Sequence, residues 1–170
     1  MLLGGRGMVL PIIGQRSGHY ADHQRLTGFT EELAKIYPDI KTLPSACCFL
    51  DSALAERLVL REMERNPLLN GVYISTVGRT GVYRALKRLG VAGKVHVVVH
   101  DLTQDNLDMI KDGVVDFAIG QDVKTQGTLP LHLLYQYLTK HQTPERRIYT
   151  TNIDIKFRYN TNDDAGNYLY

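Results

Sequence analysis

The chain has 170 residues, 44% of them hydrophobic and 22% charged, with 15 glycines and 6 prolines. This composition excludes collagen-like, low-complexity and disordered classes, and the length suits one domain that holds a core without disulfides or metals. Twenty Lys and Arg against 18 Asp and Glu leave a formal net charge of +2, too little bias for a dedicated nucleic-acid binder.

In chain order, short apolar runs alternate with longer segments of helical period. Runs 8–13, 71–74, 94–99, 115–119 and 147–150, rich in Val, Ile and Tyr, predict buried strands. Residues 40–43 predict a further one. Between them, 22–37 spaces Leu26, Phe29, Leu33 and Ile36 on one helical face and stops before Pro38. Residues 52–65 do the same with Leu54, Leu58 and Met63 ahead of Pro67, and 79–89 with Val82, Leu86 and Leu89 ahead of Gly90. A short helix over 104–111 ends before Gly113. Strand–helix alternation of this kind predicts an α/β three-layer sandwich with a mainly parallel sheet, in a single domain over 1–170.

The two cysteines, Cys47 and Cys48, are adjacent, which disfavours a bond between them and offers no zinc spacing; they read as small buried hydrophobes. No stretch reaches the ~20 apolar residues of a membrane helix. The N-terminus lacks the charged-then-apolar pattern of a signal peptide. The expectation is a cytoplasmic protein with no membrane partner.

Ligands of open parallel sheets bind beyond the carboxyl ends of the strands. Here those ends are followed by 14–19 with Arg25 in the next helix, by Ser75 and Thr76, by His100 and Asp101, and by Gln121 and Asp122. Right-handed crossovers bring all four junctions to one rim. A mixture of Arg, Asp, Gln and hydroxyl side chains suits a neutral polyhydroxylated ligand, whose hydroxyls both donate and accept. Arg25, Asp101 and Gln121, with Ser75 and Thr76 behind them, are therefore the candidate binding residues.

Each has a blander alternative. Asp101 is a possible helix cap, although Thr103 stands closer to the helix start. Gln121 is equally readable as an idle loop residue, and Arg25 as a surface partner of Asp22 or Glu32. Sharper chemistry fails on inspection. The string Val77-Gly78-Arg79-Thr80-Gly81 resembles a phosphatase phosphate loop, but Tyr73 stands where its nucleophilic cysteine belongs. His19 and His23 have HxxxH spacing without the glutamate of a hydrolytic zinc motif. Gly4-Gly5-Arg6-Gly7 precedes its strand, the wrong order for a dinucleotide loop. No serine sits on a nucleophile elbow. Neither metal, cofactor nor catalytic residue is expected.

The strings His23-Gln24-Arg25-Leu26-Thr27-Gly28-Phe29, Asn70-Gly71-Val72-Tyr73, Gly81-Val82-Tyr83-Arg84-Ala85-Leu86, Val98-Val99-His100-Asp101-Leu102-Thr103 and Gly120-Gln121-Asp122 with Gln126-Gly127 occur in one order. In sequence and spacing the set resembles the second half of the effector domain of lac-repressor-type (LacI) transcription regulators and of ribose-type binding proteins. The resemblance covers about residues 8–155. It implies a periplasmic-binding-protein-like type I lobe, with Arg25, Asp101 and Gln121 lining a sugar cleft. The family's polar residue after the Gly-Val-Tyr strand has no clean match, and Ser75 or Thr76 takes its place.

The family's helix-turn-helix and first lobe are not found in these residues, so DNA is expected as a partner only through a domain outside this chain. Segment 122–150 corresponds to the stretch that crosses to the first lobe. Pro130 within it predicts either a kinked helix from Asp122 or a start near Thr128. The resulting expectation is a sensor that binds a sugar or related polyol without turnover. The alternatives are an enzyme using His100 or Asp101 and a transport binding protein. The apolar stretch 129–138 adds the expectation of a homodimer.

Overall fold

A computed structural model describes residues 2–15 and 20–161. The strands are β1 (Gly7–Ile13), β2 (Ile40–Thr42), β3 (Ala46–Cys47), β4 (Leu69–Ile74), β5 (His96–His100), β6 (Phe117–Gln121) and β7 (Ile153–Lys156). The helices are α1 (Tyr20–Ile36), α2 (Ser52–Arg65), α3 (Arg79–Leu89), α4 (Gln104–Lys111) and α5 (Val123–Lys140). The strands form one sheet in the order β2-β1-β4-β5-β6-β7, with β3 also paired to β1. Every pairing is parallel except that of β7 on β6.

Proline in a central strand removes a ladder donor, and Pro11 lies inside β1. The carbonyls of Val9 and Ile13 accept from Leu43 and Cys48, on the β2–β3 side. Alternate residues of a strand face the same neighbour, so the Pro11 nitrogen faces the gap where pairing passes from β2 to β3. No ladder bond is lost there.

The sheet's two faces differ. On one, α2, α3 and α4 bury Leu58, Val59, Val82, Leu86, Leu107 and Ile110 against Leu10, Val72, Val97 and Val99 of the strands. The close approach of α3 to α2 requires Gly81, because a Cβ there would lie 1.9 Å from the Ser52 carbonyl oxygen. On the other face α1 packs Phe29 and Leu33 over Val9, Ile40 and Tyr73. The Phe29 and Tyr73 rings stack with centroids 4.0 Å apart. The α/β architecture and mainly parallel sheet are those the alternation predicts.

Two expectations need correction. Residues 147–150 are not a strand; they are exposed irregular chain. Their β propensity is local, whereas a ladder needs a free edge, and the edge of β6 is taken by β7, Gln121 opposite Ile153. Helix α1 opens at Tyr20, before Asp22, while residues 16–19 of the first strand-end junction, His19 among them, lie outside the described residues. Of the two starts that Pro130 leaves open, helix α5 takes the earlier. It starts at Val123, where the Asp122 carboxylate accepts from the Thr125 amide at 3.1 Å, and runs through Pro130. Among the described residues, no helix is long and apolar enough to cross a membrane. Cys47 and Cys48 are buried and free.

Candidate functional site

The ends of β4, β5 and β6 carry the polar residues to one rim. The chain leaves β5 through Asp101, whose φ of 73° is left-handed. Aspartate tolerates that region better than most residues, but holding it there requires support. The support is local and dense. The Asp101 amide donates to the Ile119 carbonyl at 2.8 Å. The Asn106 side chain, fully buried on α4, donates to the carbonyls of both His100 and Asp101 at 3.0 and 2.7 Å. Thr103, not Asp101, caps α4, accepting from the Asn106 amide at 3.3 Å.

Held this way, the Asp101 carboxylate is the hub of the rim. Its Oδ1 accepts from Gln121 Nε2 at 2.8 Å and lies 3.7 Å from Arg25 Nη2. Its Oδ2 accepts from Arg79 Nη1 at 3.0 Å, and the same nitrogen donates to the His100 carbonyl. Arg25 also donates to the Ser75 carbonyl at 2.6 Å. The structure thus brings Arg25, Asp101 and Gln121 together, drawn from α1 and the ends of β5 and β6.

Ser75 and Thr76 stand lower. Ser75 is fully buried, and its hydroxyl donates to Asp22 Oδ1 at 2.8 Å. Asp22, equally buried, accepts the Gly14 amide through Oδ2 at 3.0 Å. The contribution of Ser75 to the rim is its carbonyl, which anchors Arg25. Thr76 is buried and lies beside Gly14, where a Cβ would come within 2.9 Å of its methyl carbon.

His100 is directed beneath the rim. Its Nε2 is 2.7 Å from the Tyr73 hydroxyl, and its Nδ1 is buried without a partner among the described residues. Burial, assisted by the positive Arg25 and Arg79 and opposed by Asp101, lowers its pKa to about 4. Burial also pushes the Tyr73 phenol up to about 12. Both groups are therefore neutral at pH 7, a hydrogen-bonded pair beneath the rim.

Arg79 and Asn106 are the rim residues that sequence reasoning misses. Arg79 is the first residue of α3, behind the left-handed Gly78. Its only local signal is the phosphatase-like string, which points to different chemistry. For Asn106 the available signal is a buried position on an amphipathic helix three residues past its cap.

A family model described as "Periplasmic binding protein domain" matches residues 2–142. A xylose/arabinose-binding protein, XylF of Sulfolobus acidocaldarius, is 30% identical over 110 residues, 61% of this chain and 26% of its own length. Among solved structures, a transporter solute-binding protein from Agrobacterium vitis, bound with α-D-tagatopyranose, superposes with a TM-score of 0.86. It is 27% identical over 96% of this chain and 54% of its own. A sugar-binding protein of a Bacillus halodurans transporter gives a TM-score of 0.84 at 23% identity, over 95% and 58% of the two chains, a likeness of fold. The chain spans little more than half the length of these solved proteins.

Proposed function

This chain belongs to the periplasmic binding protein domain family, and from that membership we propose that it is a sugar-binding lobe that holds its ligand at the β4–β5–β6 rim without chemical turnover. The observation that carries the reading is the convergence of Arg25, Gln121 and Arg79 on Asp101 at the carboxyl edge of the sheet. XylF is named a xylose/arabinose-binding protein and the Agrobacterium vitis protein a transporter solute-binding protein bound with a sugar, which supports a solute-binding role over that of a transcription regulator. His100 sits 7% exposed with its Nε2 on the Tyr73 hydroxyl, which supports a structural role for that histidine over an acid–base one.

The test is calorimetric titration with D-tagatose, D-xylose and L-arabinose, the sugars suggested by the relatives' names. At least one should bind, and at 100 times its dissociation constant it should stabilise the fold by about 2.7 kcal/mol. Asp101→Ala should weaken that binding by about 1.5–3 kcal/mol, the worth of hydrogen bonds to a charged group. Silence across all three sugars, or an unchanged affinity in the variant, would overturn the assignment.

The sugar-binding reading leaves α5 unexplained, and we propose that its outer face pairs with a second copy of the chain. Leu131, Leu134, Tyr135 and Leu138 recur at helical spacing on that face and are 53–69% exposed. These side chains and their counterparts in a symmetric pair would remove on the order of 1,000 Å² from water, near the floor for a specific interface.

A further inference from the structure

Resting on the sugar-binding reading above, we infer that this rim prefers a sugar bearing a carboxylate, an aldonate or a uronate, over the neutral sugar of the same skeleton. The ground is the balance of donors and acceptors. Each guanidinium carries five N–H donors in a planar fork. Arg79 uses two in its hydrogen bonds to His100 and Asp101, and Arg25 uses one on the Ser75 carbonyl while its Nη2 faces Asp101. Most of the N–H groups of both arginines have no other acceptor among the described residues. Gln121 keeps one amide hydrogen and its carbonyl oxygen.

Acceptors are scarcer. Both oxygens of Asp101 are already engaged by Gln121, Arg79 and Arg25. The neighbouring carboxylates are committed elsewhere: Asp22 is fully buried under Ser75, and Asp122 caps α5. Among the described residues, then, two guanidiniums (18% and 14% exposed) face one carboxylate (32% exposed) at the accessible edge. That surplus of one positive charge is short of acceptors. A neutral sugar brings hydroxyls that each seek an acceptor as well as a donor. A carboxylate brings two acceptor oxygens and a charge, the geometry that a guanidinium fork matches. Arg79 is the residue that tips this balance, since without it Arg25 and Asp101 would simply neutralise one another.

Paired titrations test the inference: D-xylose against D-xylonate, and D-galactose against D-galacturonate. The acid of at least one pair should bind ten-fold or more tighter than its neutral partner. The preference should shrink as sodium chloride rises from 20 to 500 mM, because the arginines are partly exposed. Arg79→Gln should collapse the acid-to-neutral ratio toward one. Arg84→Gln, on the same helix but paired with Glu56 away from the rim, should keep it. Neutral sugars binding as tightly as their acids, or a ratio that survives in Arg79→Gln, would overturn the carboxylate preference and leave the sugar-binding reading standing. No binding by any of the four compounds would overturn the carboxylate preference, and the sugar-binding reading as well if D-tagatose and L-arabinose are also silent.

Discussion

Gln121 and Leu131 are ten residues apart and live in opposite circumstances. Gln121 ends β6 in a polar cluster with Asp101 at its centre, donating to that carboxylate at 2.8 Å. Leu131 rides on α5, a helix of 18 residues in which none is buried. Leu129 and Leu133 are half-covered on its inner side, while Leu131, Leu134, Tyr135 and Leu138 remain outside. A helix that is apolar on all sides is normally buried. The contrast teaches that the rim's side chains hold one another in place through polar contacts around Asp101, whereas the apolar side chains of α5 stay largely uncovered within this lobe.

The largest expected effect compares leucines in the two regions. Leu107, on α4 beside Asn106, is 1% exposed, and Leu107→Ala should cost about 2–5 kcal/mol of unfolding free energy. Leu134→Ala should cost less than about 0.5 kcal/mol in the monomer. Urea denaturation at low protein concentration measures both. Equal losses at the two sites would erase the contrast.

A smaller effect comes from the buried polar layer under the rim. Because the His100 pKa falls from the ordinary 6.5 to about 4 on folding, the unfolded chain takes up its proton first as pH drops. Stability is full above pH 6.5, declines as pH falls from there toward 4, and levels off below. The loss from this residue should be roughly 2–3 kcal/mol. His100→Gln should flatten that part of the curve. A variant whose urea midpoints at pH 7, 5.5 and 4 track those of the parent would assign the acid loss to other groups.

The smallest change in stability, though not in assembly, is expected on α5. Leu131→Glu with Leu134→Glu should leave the monomer folded and shift a dimer to monomer in light scattering at micromolar concentration. A parent chain already monomeric at that concentration would show that the apolar face of α5 does not pair with a second copy.

How much was legible depends on how local the cause is. Helices α2, α3 and α4 begin and end at the residues the sequence predicts, because their signals lie within a turn of the helix: the Thr103 cap, the Gly90 stop, the proline after α2. Strand β3 has two residues, too short for any periodicity to register, and β7 is a four-residue edge strand that buries only Lys156, so it lacks the apolar run of the central strands. The four residues of 147–150 have the right composition and no edge to join. Arg25, Asp101 and Gln121 can be nominated because a parallel sheet necessarily delivers its strand ends to one side. Arg79 cannot, because its partners are 21 and 22 residues away and its neighbours suggest a different chemistry.

By itself, then, the sequence determined the alternation of strands and helices, hence the parallel sheet and the edge where polar residues gather. Those properties follow from side-chain period and from the handedness of crossovers, which every chain obeys. Only the tertiary structure decided that Ser75 turns down to Asp22, that His100 is shut in with Tyr73, and that Arg79 takes the second oxygen of Asp101. Each of these choices is a competition among several donors for one acceptor. Its outcome depends on distances and burial that appear only once α1, α3 and α4 are packed around the strand ends.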